Sequence, residues 1–277
     1  MTHHDDTGEV HEHDLGLSHD LPTLLSRRRL LGIFGGVGAL ALAGCGAGAA
    51  SSASTPSPPT TSSSSASSGS SEAIPEETAG PYPGDGSNGV NVLTTSGIVR
   101  SDITASFGDA TGVAEGVPLT VTLTVLDTAN GSAPLAGAAV YIWHCNINGQ
   151  YSMYDEGIRN ENYLRGVQAT DDSGVVTFTS IYPAAYSGRW PHIHFEVYPS
   201  LDAATSASDK LRTSQLALPE ETNTLVYATS GYEASIRNMR GTSLATDNVF
   251  SDGWSLQLAT VAGDVGSGFT ATLNVPV

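Results

Sequence analysis

From Leu119 to Val125 the chain reads Leu-Thr-Val-Thr-Leu-Thr-Val, an aliphatic side chain alternating with threonine at every step. Successive side chains of an extended chain leave on opposite faces, so this stretch is a strand with one apolar and one wet face. Phe269 to Val275 repeats the alternation near the C-terminus. Val140 to Trp143, Val175 to Phe178, His192 to Tyr198 and Leu211 to Leu216 are further strand candidates, separated by turn formers such as Asn130-Gly131, Asn148-Gly149 and Asp172-Ser173-Gly174. No long amphipathic helix competes with them. The pattern predicts an all-β fold, a single β-sandwich of mainly antiparallel strands with long loops that carry the site, over residues 72–277. That length is enough to bury a full core.

The chain before Glu72 has a different character. Residues 1–44 read as a signal peptide: a polar start, then Arg27-Arg28-Arg29, then an apolar run from Leu30 to Ala43 too short to span a bilayer as a mature helix. The run resembles a twin-arginine signal, with Gly32 where a lysine is common. Leu42-Ala43-Gly44-Cys45 resembles a bacterial lipobox, whose cysteine becomes the lipidated first residue. Residues 45–71 follow as a linker, and from Ser51 to Ser71 only Ser, Thr, Ala, Pro and Gly occur. Such a segment has no bulky apolar side chain whose burial could offset its ordering entropy, so it is expected to be disordered. The expected product is an exported protein, a cell-envelope lipoprotein or a secreted one, touching the membrane only through a lipid anchor at Cys45.

Charge excludes some partners. Six of the 28 acidic residues precede residue 45, leaving 22 against eight basic ones beyond it. An acidic surface repels nucleic acid and anionic lipid headgroups, so neither is expected to bind. Oligomeric state is left open.

Chemistry concentrates between Tyr186 and Tyr198. If residues 192–198 form a strand, His192, His194, Glu196 and Tyr198 share one face and Ile193, Phe195 and Val197 the other. Two imidazoles fixed on one strand face are a usual start to a metal site. Beyond residue 44 only three histidines remain, His144, His192 and His194, and the folded part holds one cysteine, Cys145. A zinc site of cysteines and histidines would be short of donors unless carboxylates completed it. Tyrosines are close in sequence: Tyr186, Tyr151 and Tyr154. Phenolate is a hard anionic donor suited to ferric iron. His144 reads as a packed strand residue, and Cys145 as a small buried hydrophobe beside Trp143.

At this point the sequence resembles the intradiol ring-cleavage dioxygenases, the family of protocatechuate 3,4-dioxygenase and the catechol and hydroxyquinol 1,2-dioxygenases. The matching pieces are Gly80-Pro81-Tyr82, Val99 to Ile103, Pro134 to Gly137, Val140 to Cys145 and Gly149-Gln150-Tyr151. They continue with Arg165-Gly166, Thr170 to Gly174 and Pro183-Ala184-Ala185-Tyr186, then Arg189-Trp190-Pro191-His192-Ile193-His194. The turn and strand pieces also occur in non-catalytic sandwiches. Tyr151, Tyr186, Arg189, His192 and His194 are the discriminating residues.

The resemblance implies that Tyr151, Tyr186, His192 and His194 bind a non-haem Fe(3+) ion, with Tyr154 the alternative to Tyr151. Two tyrosinates and a hydroxide neutralise a trivalent ion in a low-dielectric cleft, where four neutral ligands would not. It implies cleavage of a small aromatic diol by O2, between the two hydroxyl-bearing carbons, to a cis,cis-muconate-type product. Tyr186 would be the ligand that leaves and takes a substrate proton. Arg189 would stabilise charge developing on the ring. Gln215 resembles a glutamine that stands behind the metal ligands in the group.

Other roles are weighed against these. Arg189 could instead form a salt bridge with Glu196 or Asp102. Arg100 and Arg165 read as structural, pairing with carboxylates or backbone carbonyls. Tyr82 and Trp190 could line an aromatic pocket or sit in the core. Lys210 and Arg212 are the nearest candidates to receive a carboxylate on the ring. The alternative functions are a non-catalytic lipid-tethered β-sandwich binding module and a zinc or copper site on the same histidines.

Overall fold

A computed structural model describes residues 72–277. The signal peptide and linker expected over residues 1–71 lie outside the described residues. Nine strands build two sheets: β1 Pro118–Asp127, β2 Ala133–Pro134, β3 Ala139–Trp143, β4 Arg165–Ala169, β5 Val175–Ile181, β6 His192–Tyr198, β7 Arg212–Ala217, β8 Thr260–Asp264 and β9 Gly268–Pro276. In the first sheet the order is β2-β1-β9-β8, with β5 also paired to β1. The β1–β9 pair is parallel; every other strand pair is antiparallel. The second sheet runs β4-β3-β6-β7. The all-β sandwich expected from the alternation is the fold observed.

The core lies between the sheets. Leu119, Val121, Leu123 and Val125 of β1 and Phe269, Ala271, Leu273 and Val275 of β9 meet Val140 and Ile142 of β3 and Ile193, Phe195 and Val197 of β6. The threonines of β1 point the other way and remain half-buried, as a sheet with one solvated face requires.

The second sheet differs in a way that places the site. All seven residues of β6 are buried, the polar face included. That face is covered by loops, and the side chains beneath them form a separate cluster with Tyr141, Trp143, Tyr151 and Tyr198, flanked by Tyr82 and Tyr186. Two short helices, α1 Glu220–Tyr227 and α2 Glu233–Met239, pack beside the loop after β5. Among the described residues no helix is long and apolar enough to cross a membrane.

Candidate metal centre

His192 and His194 leave β6 on its loop-covered face, each about 2% exposed. The antiparallel register sets Trp143 of β3 opposite His194, and the two rings stack with centroids 4.9 Å apart. His192 Nδ1 lies 2.5 Å from the Trp190 carbonyl. A carbonyl only accepts, so Nδ1 carries the proton and Nε2 turns its lone pair inward. His192 Nε2 stands 3.0 Å from His194 Nε2.

Tyr186 enters from the β5–β6 loop, and its hydroxyl oxygen is 3.2 Å from His192 Nε2. The loop is held by the helices. Tyr232 Oη donates to Tyr182 O, Tyr227 Oη to Pro183 O, Ser235 Oγ accepts from Ala185 N, and Asn238 donates to Ala185 O.

Tyr151 comes from the loop between β3 and β4, which is folded on itself. Asn146 Oδ1 accepts from Asn148 N and Gln150 N, and Asp155 accepts from Tyr151 N. Gly149 adopts φ 79°, and a Cβ there would stand 3.1 Å from Tyr186 Cβ. Only glycine takes that conformation without strain and lets the two tyrosine loops close. The Tyr151 ring lies 6.0 Å from Tyr186 and 6.2 Å from His194 between centroids. Tyr154 is turned elsewhere, accepting from Gly84 N and donating to Asn88 Oδ1.

The four groups therefore converge, with the Tyr186 oxygen and His194 Nε2 both within hydrogen-bond distance of His192 Nε2. One lone pair on His192 Nε2 faces both the His194 nitrogen and the Tyr186 oxygen. The Tyr151 hydroxyl is buried with no hydrogen-bond partner, beside the His194 ring whose Nε2 faces His192. An unpaired buried hydroxyl is costly, and one set beside two imidazole nitrogens and a second phenol fits a cation. Nitrogens about 2.1 Å from one ion stand about 3 Å apart when their bonds are at right angles, close to the His192–His194 separation. Among the described residues no third His, Cys, Asp or Glu joins the pair. The remaining donors are phenolic, a set that favours a hard trivalent ion over zinc or copper.

Electrostatics point the same way. Burial first, then Arg189, pulls the His192 pKa well below the usual histidine range. Burial and the neighbouring His192 do the same to His194. Both imidazoles are thus neutral at ordinary pH. Burial, reinforced by Tyr186, pushes the Tyr151 phenol well above its usual value, so that proton leaves only to a cation.

Arg189 is buried and engaged on several sides. Its Nη2 donates to Gln215 Oε1 at 2.6 Å, its Nη1 lies 3.5 Å from the Tyr186 oxygen, and its Nε donates to Asp247 Oδ2 at 2.9 Å. The salt bridge to Glu196 or Asp102 weighed from sequence is not the one formed. Glu196 instead pairs with Lys210 at 2.8 Å, and Asp102 accepts from Thr104. Sequence reasoning missed Asp247, which lies 58 residues from its partner, beyond any local motif.

The Gly80-Pro81-Tyr82 stretch forms a wall. Gly80 has φ 70°, and a Cβ there would meet His194 Cε1 at 3.4 Å. Tyr82 lies 5.0 Å from the Tyr151 ring. Arg165 braces this wall: its guanidinium donates to the carbonyls of Tyr82, Pro83 and Ser152 and to the Ser152 and Tyr141 hydroxyls. Arg100 donates to the carbonyls of Ala105, Asn162 and Arg165. Both arginines are structural, as expected. Trp190 packs with Ala217, Val249 and Phe250 in a small core of its own. His144 is buried between Cys145 O and Ser180 Oγ, and the Cys145 thiol is buried and free. Lys210 and Arg212 already face carboxylates, Arg212 lying 3.7 Å from Glu76.

Comparison with known proteins bears on family and fold. Residues 99–205 match the family model described as Dioxygenase. The chain is 40% identical over 62 residues to a catechol 1,2-dioxygenase of Pseudomonas sp. (strain EST1001), covering 22% of this chain and 20% of that protein. It is 35% identical over 72 residues to a hydroxyquinol 1,2-dioxygenase of Rhizobium sp. (strain MTP-10005), covering 26% and 24%. The matches thus span about a fifth to a quarter of these curated relatives. Among solved structures, an intradiol ring-cleavage dioxygenase from Tetranychus urticae superposes with a TM-score of 0.56 at 26% identity, covering 74% of this chain and 94% of that one.

Proposed function

We propose that this chain, which resembles the intradiol ring-cleavage dioxygenases in sequence over residues 99–205 and in fold, opens a catechol-type aromatic ring with O2. The reading includes a non-haem ferric ion held by Tyr151, Tyr186, His192 and His194. Its main support is the convergence of two phenol oxygens and two imidazole nitrogens on one buried point, where the Tyr151 hydroxyl has no hydrogen-bond partner. A ferric ion held by Tyr151, Tyr186, His192 and His194 would supply Lewis acidity toward the diol oxygens.

The protein's own groups do the rest. In this reading the Tyr186 oxygen takes a proton from one diol hydroxyl, acting as the base. Neutral His192 keeps its Nε2 lone pair inward because the Trp190 carbonyl holds its Nδ1 proton, and His194 turns its Nε2 to the same point. Arg189 presents a fixed positive charge next to Tyr186, where it stabilises negative charge developing on the ring. Gln215 anchors that guanidinium. Its Nε2 donates to Thr78 O, which turns its Oε1 toward Arg189. Tyr82 and Gly80 pack against Tyr151 and His194 on one side of the site.

The proposal extends to export. Arg27-Arg28-Arg29, the apolar run to Ala43 and Leu42-Ala43-Gly44-Cys45 support a processed, lipid-anchored protein that begins at Cys45. Intact mass of the mature protein tests that part.

The enzymatic reading is tested by oxygen uptake of iron-loaded protein with catechol and hydroxyquinol, alongside absorbance of the ring-opened product. One O2 consumed per ring opened supports it. No uptake with either diol by protein carrying one iron per chain would leave a tethered binding domain as the better reading.

A further inference from the structure

A guanidinium cannot shed its charge on burial, so a buried arginine needs a counter-charge and full hydrogen bonding. Arg189 is 5% exposed, and its ion-pair partner is Asp247, itself fully buried. The carboxylate does more than neutralise. Oδ2 accepts from Arg189 Nε at 2.9 Å and from the backbone N of Trp190, the next residue, at 2.7 Å. Oδ1 accepts from Val249 N at 2.8 Å and Phe250 N at 3.2 Å, which fixes the carboxylate within its own loop. Arg189 Nη2 lies 3.5 Å from the same oxygen and 2.6 Å from Gln215 Oε1. One edge of the guanidinium is therefore clamped between Asp247 and Gln215. The other edge, Nη1, is left facing Tyr186 at 3.5 Å.

We infer that Asp247 is the positioning residue for Arg189: it sets the guanidinium plane so that Nη1 points to the reacting ring and the Tyr186 oxygen, while touching neither substrate nor metal itself. This rests on the catalytic reading above. Asp247 lies in the segment between α2 and β8, so the positive charge of the site is aimed from a part of the chain that supplies none of the four converging donors.

Two substitutions test it. Asp247→Asn keeps the shape and an acceptor for Val249 and Phe250 but removes the charge. Asp247→Glu keeps the charge and displaces it by one methylene, which guards against a folding failure in the first. In both, kcat is expected to fall at least tenfold with KM within threefold and with iron content unchanged. The drop should vanish in an Arg189→Met background, where adding Asp247→Asn should change kcat by less than twofold. An equal drop in both backgrounds means that Asp247 does not act through Arg189, and the inference is overturned. A crystal structure of iron-free Asp247→Glu supplies a readout independent of turnover. The Arg189–Gln215 contact should be lost or re-angled; an unmoved guanidinium overturns the inference. Absent oxygen uptake by the wild-type protein would count against the catalytic reading alone, because the crystal structure still decides whether Asp247 sets the arginine.

Discussion

Replacing Tyr151 with phenylalanine should move stability and metal binding in opposite directions. The Tyr151 hydroxyl is buried without a hydrogen-bond partner. An unsatisfied buried polar group costs about 1–3 kcal/mol, and the substitution deletes that group while keeping the ring that packs against Tyr82 and Tyr186. Iron-free Tyr151→Phe should therefore be more stable than wild type by about 1 kcal/mol, or about 2–4 °C in Tm for a domain of this size. With iron the sign reverses, because an anionic ligand is gone. Affinity should fall by at least the roughly 10–100-fold that loss of a mere supporting partner costs a metal site. Visible absorption from tyrosinate-to-iron charge transfer should weaken or shift. Differential scanning fluorimetry of both forms, with iron titration followed by absorbance, measures each quantity. An iron-free variant no more stable than wild type, outside the roughly 1–3 kcal/mol gain that the unsatisfied group allows, would mean that the hydroxyl has a partner. Unchanged absorption and turnover would mean that Tyr151 is no ligand.

Other consequences follow from particular residues. Burial pushes the His144 pKa down to about 4, only partly offset by the Cys145 carbonyl. The unfolded chain binds that proton near pH 6.5, so the stabilising contribution is complete above that pH and is lost as pH falls through about 4. The effect is worth about 3 kcal/mol, and urea unfolding of iron-free protein should show a flatter acid limb in His144→Gln than in wild type. Gly80→Ala should perturb the metal spectrum and slow turnover, since its Cβ meets His194 at 3.4 Å, whereas Gly89→Ala carries a similar backbone strain with nothing within 4 Å and should leave both unchanged. Lys210 and Arg212 are held by Glu196 and Glu76, so kcat/KM for catechol or hydroxyquinol should exceed that for protocatechuate by tenfold or more; a preference for protocatechuate would show that a cation is released to meet its carboxylate.

Much of this was legible in the chain because two periods are written into it. The alternation of β1 and β9 specifies a half-buried strand each, and their partners follow from the same rule. The His-x-His spacing places two imidazoles on one face because a strand repeats every two residues. That the polar face of β6 is nevertheless buried could not be read locally, since the cover comes from loops distant in sequence. The same limit hid the helices: α1 and α2 are short, and they are held by what they brace, Tyr227 and Tyr232 reaching the carbonyls ahead of Tyr186. In the sequence, Tyr151 is set apart from Tyr154 by its place directly after Gly149-Gln150, as the family resemblance implies. The turn closed by Asn146 and Asp155 sends the first inward and the second to Asn88. Asp247 carried just one sequence signal, an acidic residue ahead of Val249-Phe250, and nothing pointed it to Arg189.

The sharpest test is a crystal structure of the iron-loaded protein with anomalous scattering recorded across the iron edge. The account predicts one peak in bonding contact with the phenol oxygens of Tyr151 and Tyr186 and with Nε2 of His192 and His194. A peak elsewhere, or iron bound by the two histidines with both tyrosines swung away, would contradict it.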